Sequence, residues 1–242
     1  MKPLLTAERL PGPLATPQLG ARTRWLLLAA LCLGLALLAL VLWFAIARPV
    51  KVLPRIRPLP AFTLIDQYGL PLSSSDLAGR SVLINLTYGG CGDTCAAQRA
   101  GMAALREQLR ADGRLGRSVL LLTVSFDPAR DTPVALQTMA AQLGAERSNW
   151  RFATGEPGAL KALIGGELGI YYGEPDESGA IEHDQRLILV DGNGVLRARY
   201  DAAALDQARI RRDLGLLEQE LGSSGVMRQV YEASHLFLCY PD

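Results

Sequence analysis

An uncharged apolar run, residues 25–47, constrains this chain more than any other feature of its sequence. A helix needs about 20 apolar residues to cross the roughly 30 Å hydrocarbon core of a bilayer. Trp25 and Trp43 lie near the two ends of the run, where tryptophan rings favour the membrane interface. Because the apolar core of a cleaved signal peptide has only about 7–15 residues, the run predicts a single transmembrane anchor.

The basic residues around this run do not set its orientation. Four precede it and four follow it, namely Lys2, Arg9, Arg22 and Arg24, then Arg48, Lys51, Arg55 and Arg57. The positive-inside rule compares such flanks, and here they are equal. We therefore base the expected periplasmic side of the C-terminal part on its cysteine chemistry.

The rest of the chain divides by composition. We predict a disordered tail at residues 1–24, a proline-rich extended linker at 48–60, a folded domain at 61–222 and a C-terminal tail at 223–242. The 242 residues carry a formal net charge of +1, and no basic stripe dominates them. This composition argues against nucleic acid as a partner.

The predicted domain alternates strands with helices. Apolar strands are expected at residues 81–88 and 118–126, and the Asp-Gly-Asn-Gly turn at 191–194 predicts a late hairpin. Thr132 or Asp131 can cap a helix that has Pro133 in its first turn. These patterns predict an α/β fold with a central mixed sheet of about four or five strands, flanked by helices.

Two cysteines stand where a strand meets a helix. Cys91 and Cys95 lie four residues apart, at the start of a helix expected over residues 93–110. Free amide groups and the helix dipole favour thiolate at such a position. The two sulfurs can form a disulfide or hold one ion. Because Cys32 lies in the apolar run and Cys239 near the end of the chain, no disulfide framework is expected.

His183 is the candidate third ligand. It follows a polar loop and precedes the strand expected at residues 186–190. Two sulfurs and one imidazole suit Cu(I) and also Zn(II). Composition does not choose between the two metals.

Three segments resemble the Sco/SenC family of copper proteins. They are TYGGCGDTC, VSFDPARDTP and IEHDQRLILVDGNG, in that order, and the similarity covers about residues 58–220. The resemblance implies a thioredoxin-like fold, copper as the bound ion, and Cys91, Cys95 and His183 as its ligands. It also implies a metallochaperone that helps load copper into cytochrome c oxidase. The implied partners are the copper-site subunit of that oxidase, and a thiol reductant or copper donor.

Two acidic residues are candidates for supporting roles. Asp127 belongs to the second segment and can orient a ligand through hydrogen bonds, whereas Asp93 stands between the cysteines and can cap the helix. Three positions depart from the family pattern: Gly90, Ala96 and Asp184.

The main alternative is a thiol–disulfide oxidoreductase in which Cys91 attacks and Cys95 resolves. Three residues separate the cysteines, whereas thioredoxins have two. No proline stands just before residue 186, where thioredoxins carry one. A peroxidase of the same superfamily is disfavoured because its cysteine pattern is absent. At the C-terminus, His235 and Cys239 suggest a weak second metal site or an amphipathic terminal segment.

Overall fold

The computed structural model describes residues 20–47 and 51–237, which belong to two compact units, residues 1–49 and 50–242. The described part of the first unit is helix α1 (Ala21–Ala47). Trp25 and Trp43 on this helix are exposed. By length and composition, α1 is able to cross a membrane, as the uncharged run predicts.

The second unit is built on a mixed sheet of eight strands, beside which lies a separate two-stranded hairpin. The sheet order is β1-β10-β9-β4-β5-β6-β2-β3, and β7 pairs with β8. The strands are β1 (Arg57–Pro58), β2 (Thr63–Asp66), β3 (Pro71–Ser73), β4 (Ser81–Thr87), β5 (Val119–Ser125), β6 (Trp150–Thr154), β7 (Tyr172–Pro175), β8 (Ile181–His183), β9 (Arg186–Val190) and β10 (Val195–Asp201).

Five helices accompany the sheet in the described part of this unit. They are α2 (Ala96–Ala111), α3 (Pro133–Gln142), α4 (Pro157–Leu160), α5 (Gln207–Gly222) and α6 (Gly225–Phe237), with 3-10 turns at Ser74–Leu77 and Gly89–Cys95 and a π-helical turn at Lys161–Glu167. Apolar residues of α2, α3 and α5 form one core with one face of the sheet. Residues of α4, the π-helical turn and the β7–β8 hairpin form the other core.

Strands β4 and β5 occupy the centre of this arrangement. Every residue of both strands is buried, and they pair in parallel from Ser81 with Val119 to Thr87 with Ser125. Parallel strands covered on both faces need continuous apolar runs, which residues 81–88 and 118–126 provide. Their carboxyl ends meet at one edge of the sheet, where the cysteines follow β4.

The predicted fold class is confirmed, with a wider sheet than expected. The short strands β1, β2 and β3 extend it at its two edges, and sheets of this width still fall within the usual range. Thr132 is the N-cap of α3 and accepts a hydrogen bond from Ala135 N, with Pro133 in the first turn. The capping signal of the sequence is thus confirmed for Thr132.

The proline-rich segment, predicted as an extended linker, contacts the domain within its described residues. Val52 and Leu53 are buried, and β1 pairs with β10. Arg197 donates to Leu53 O at 2.8 Å and to Pro54 O at 3.1 Å. Residues 52–54 therefore pack on the domain, and the carbonyls of Leu53 and Pro54 accept hydrogen bonds from a buried guanidinium.

The predicted C-terminal tail, residues 223–242, is described as far as residue 237. It forms helix α6, in which Tyr231 and Ser234 are buried. His235 Nε2 lies 2.8 Å from Glu220 Oε1, so α6 is tied to α5 through that carboxylate. Cys239, the other member of the suggested second metal site, lies outside the described residues.

Candidate metal centre

The two cysteines lie in a 3-10 turn, Gly89–Cys95, that we call the Cys segment. Gly92 has φ 56° and ψ −135° there, and its carbonyl accepts a hydrogen bond from Arg99 at 2.8 Å. Because of this break in helical geometry, α2 begins at Ala96 and not at residue 93 as expected. Cys95 is therefore the N-cap residue of α2. Asp93, predicted as a possible cap, is exposed and lies two residues before that position.

Cys91 and Cys95 form a disulfide. Their Cα atoms are 5.6 Å apart, within the usual range for a bridged pair. Both residues are buried, with 4% and 0% of their surface exposed. The sequence left open a disulfide or a shared ion, and the structure describes the oxidised form.

His183 is the last residue of β8, and its side chain faces the sulfurs. Its Nε2 lies 3.8 Å from Cys95 Sγ. Its Nδ1 lies 3.0 Å from Ile181 O, which can only accept a hydrogen bond. Nδ1 therefore carries the proton in the neutral ring, and Nε2 presents its lone pair towards the cysteines. The ligand atoms of Cys91, Cys95 and His183 all lie within 4.8 Å of one another.

Two aromatic rings lie beside the imidazole, and a third stacks on one of them. The ring centroids of Phe126 and Tyr88 lie 5.1 Å and 5.8 Å from that of His183. Tyr172 stacks on Phe126 at 5.0 Å. Burial raises the pKa of the Tyr172 phenol, and Glu174 raises it further, so this phenol is neutral at neutral pH. The wall beside His183 is therefore largely aromatic, with the cations of Arg130 and Lys161 lying over the Tyr88 and Tyr172 rings.

Asp127 is buried in the loop after β5. It forms an ion pair with Nε of Arg130. Arg130 in turn donates from Nη2 to Gly179 O at 2.8 Å, in the turn between β7 and β8. Asp127 thus contacts the hairpin that carries His183 through Arg130.

Asp131 forms a hydrogen bond with the backbone of the Cys segment. Its buried carboxylate accepts hydrogen bonds from Gly89 N at 2.8 Å and from the Ser125 hydroxyl. A Cβ atom at Gly89 would lie 2.5 Å from Asp131 Oδ1. The lack of a side chain at Gly89 therefore allows this carboxylate to approach the backbone.

The sequence alone did not identify four of the residues around the centre as functional. They are Tyr88, Phe126, Arg130 and Asp131. All four lie in or beside the segments TYGGCGDTC and VSFDPARDTP. The Asp-Thr-Pro pattern at residues 131–133 predicted only a helix cap for Asp131. It did not indicate the hydrogen bond from Gly89 N.

Comparison with known proteins relates this chain to a protein family. The SCO1/SenC family model matches residues 55–217, which is more than half of the chain. A Stutzerimonas stutzeri protein with the provisional name copper-binding protein is 33% identical over 156 residues, covering 63% of this chain and 74% of the relative.

Solved structures of similar fold include two of the Sco type. BsSco, described as a member of the Sco family of cytochrome c oxidase assembly proteins with a disulfide switch, is 22% identical with a TM-score of 0.61. The match covers 69% of this chain and 98% of BsSco. Arabidopsis thaliana ScoI with copper bound is 19% identical with a TM-score of 0.57, covering 66% and 98% of the two chains.

Proposed function

Because this chain belongs to the SCO1/SenC family, we propose that it is a membrane-anchored copper-binding protein that helps load copper into cytochrome c oxidase. The observation that carries the proposal is the convergence of two cysteine sulfurs and one imidazole nitrogen within 4.8 Å. Cys91, Cys95 and His183 are the proposed ligands.

The donor set suits copper on chemical grounds. Thiolate and imidazole are both good ligands for Cu(I), and thiolate is the softer of the two. The lone pair of His183 Nε2 is available because Nδ1 bonds to Ile181 O. This bond is the kind of outer contact that orients a metal-binding histidine. Zn(II) accepts the same donors, so the choice of copper rests on the copper-binding relatives.

Metal binding requires the cysteines to be reduced first. Breaking the Cys91–Cys95 bond consumes two electrons and two protons, supplied by a dithiol reductant that becomes a disulfide. The resulting thiols lose their protons when they bind a metal. A thiol reductant and a copper donor are thus the partners that this chemistry needs, together with the copper-site subunit of the oxidase as acceptor.

Helix α1 supplies the proposed anchor. It is long and apolar enough to cross a bilayer once, and we assign the second unit to the periplasmic side. A disulfide is stable in such an oxidising compartment. Asp127 is proposed to support the site through Arg130, and Asp93 to meet a partner from its exposed position.

A second candidate function is thiol–disulfide exchange by the same cysteine pair. The disulfide between Cys91 and Cys95 is the observation that favours it. In this role, the reduced Cys91 attacks a disulfide of another protein, and Cys95 then resolves the mixed disulfide. Its substrate is the oxidised cysteine pair of a copper site.

Copper titration of the reduced full chain in detergent micelles distinguishes the two functions. We expect one equivalent of Cu(I), measured by competition with a chromophoric chelator, and loss of this binding in Cys91→Ser and His183→Ala. Cys32→Ser and His235→Ala are the matched controls, since both residues lie outside the centre. If the reduced chain binds no copper but reduces an oxidised copper-site peptide faster than free thiol does, the oxidoreductase function replaces the proposal.

A further inference from the structure

We infer that Arg130 is the positioning residue for His183, because its guanidinium joins the loop after β5 to the hairpin that carries the histidine. This inference deepens the proposed function and rests on it. The guanidinium lies where three segments meet: its own loop, the turn of the β7–β8 hairpin and the Cys segment.

The guanidinium uses separate nitrogens for two of these segments. Nε pairs with the buried carboxylate of Asp127, and Nη2 donates to Gly179 O at 2.8 Å. The planar fork of arginine suits such a bridge, since its donors point in fixed directions. A lysine ammonium has the charge but not this spacing of donors.

Two glycines leave space for the guanidinium. Gly179, with φ +81°, lies in the hairpin turn, and a Cβ atom there would be 2.8 Å from Nη1 of Arg130. A Cβ atom at Gly90, in the Cys segment, would be 3.2 Å from the same nitrogen. Backbone of the hairpin and backbone of the Cys segment therefore both approach Nη1 closely.

A second tie from Arg130 to the hairpin runs through Tyr88. The guanidinium carbon lies 5.6 Å from the centre of the Tyr88 ring. The Tyr88 hydroxyl accepts a hydrogen bond from Ile181 N at 3.0 Å. The carbonyl of the same Ile181 accepts the Nδ1 proton of His183. Arg130 thus contacts both Gly179 and the ring that anchors Ile181, two residues before His183.

The hairpin needs such ties because its own strands are short. Strand β7 has four residues and β8 has three, and a two-stranded hairpin is only marginally stable by itself. Lys161 Nζ also donates to Tyr172 O at 3.0 Å, at the start of β7. This bond holds the first strand, whereas Arg130 holds the turn and, through Tyr88, the second strand.

The test compares Arg130→Ala and Arg130→Lys with Arg114→Ala in the full chain in detergent. Arg114 is a matched control because it also bonds to a carboxylate and a distant carbonyl, Glu218 and Arg211 O, but in the loop before β5 rather than after it. Circular dichroism first establishes that each variant is folded.

The first measurement is amide hydrogen exchange across residues 172–183 in the metal-free disulfide form. Losing a charge-assisted bond is expected to speed exchange in Arg130→Ala by about tenfold or more, with less change in Arg130→Lys and none in Arg114→Ala. Exchange that is the same in Arg130→Ala and the wild type overturns the inference. So does full rescue by lysine, since charge alone would then suffice.

The second measurement is Cu(I) binding by the reduced proteins, with X-ray absorption to count imidazole and sulfur ligands. We expect Arg130→Ala to bind about 10–100-fold more weakly, the usual effect of losing an outer contact of a metal ligand. The imidazole signal should fall while the sulfur signal stays. Wild-type affinity and imidazole signal in Arg130→Ala would overturn the inference. Failure of the wild type to bind copper refutes the proposed function, and the exchange measurement then still decides whether Arg130 holds the hairpin.

Discussion

Arg197 is a buried charged residue whose replacement is expected to destabilise this domain strongly. Only 1% of its surface is exposed. It pairs with Asp191 at 2.7 Å and with Glu220 at 2.6 Å, besides its bonds to Leu53 O and Pro54 O. The substitution Arg197→Met keeps most of the side-chain volume and removes all of these bonds.

The expected loss follows from what the substitution leaves behind. Removing one partner of a buried ion pair costs about 3–5 kcal/mol, because the remaining charge stays buried without compensation. Asp191 is 3% exposed and would lose its ion pair at Oδ2, while Oδ1 still accepts hydrogen bonds from Asn193 N and Val195 N, so the full upper value is not expected. The carbonyls of residues 53 and 54 add to the loss, although contributions within one network are not additive. We take about 4 kcal/mol as the expected decrease in the free energy of unfolding.

Urea unfolding of the detergent-solubilised chain, followed by circular dichroism, measures this decrease. With a denaturant slope of about 2 kcal/mol per molar, the midpoint should fall by about 2 M. Arg211→Ala is the control, since Arg211 pairs with Asp112 at an exposed site and should cost about 0–1 kcal/mol. Adding Asp191→Asn to Arg197→Met should restore part of the stability by removing the buried charge. Equal midpoints for Arg197→Met and Arg211→Ala would refute the reasoning.

Two further predictions concern the Cys segment and Glu220, the carboxylate of α5 that bonds to His235 of α6. Gly89→Ala should lower the free energy of unfolding by about 1–3 kcal/mol and weaken copper binding, because the new Cβ displaces Asp131 from Gly89 N. Gly158→Ala is the control, since no atom lies within 4 Å of the new Cβ, and it should be nearly neutral in urea unfolding and in copper titration. At Glu220, desolvation raises the pKa, but bonds from Arg197, His235 and Arg55 outweigh it and lower the pKa below 4.5. Because the pKa of Glu220 is lower in the folded chain than in the unfolded chain, its ionised carboxylate stabilises the fold at pH values above the unfolded-state pKa. This stabilisation is lost as the pH falls through the folded-state pKa. Acid titration should therefore destabilise the wild type below about pH 4.5 more than Glu220→Gln, and identical acid profiles would contradict this assignment.

The sequence predicted those parts of the centre that depend on local spacing. Cys91 and Cys95 are four residues apart at a strand–helix junction, and this short separation allows their sulfurs to come close to each other. His183 was identified from its position before a strand and from the family resemblance. In the structure, its Nε2 lies 3.8 Å from Cys95 Sγ, and its role as a ligand stays a prediction.

Arg130 could not be predicted in the same way. Its partner Gly179 is 49 residues further along the chain, and the contact exists only because the hairpin folds over the end of β5. Likewise, the prolines before residue 61 predicted extended backbone, which agrees with strand β1. What local composition did not reveal is that a buried arginine on β10 binds the carbonyls of this extended segment.

The bond that fixes the His183 ring ends on a main-chain oxygen, that of Ile181. Replacing the Ile181 side chain does not remove this oxygen, so the acceptor for Nδ1 is retained in apolar replacements of similar size at this buried position. An insertion or deletion between residues 181 and 183 moves the oxygen away from Nδ1. In a mutational scan, copper binding should therefore tolerate such replacements at position 181 far better than changes in the length of strand β8.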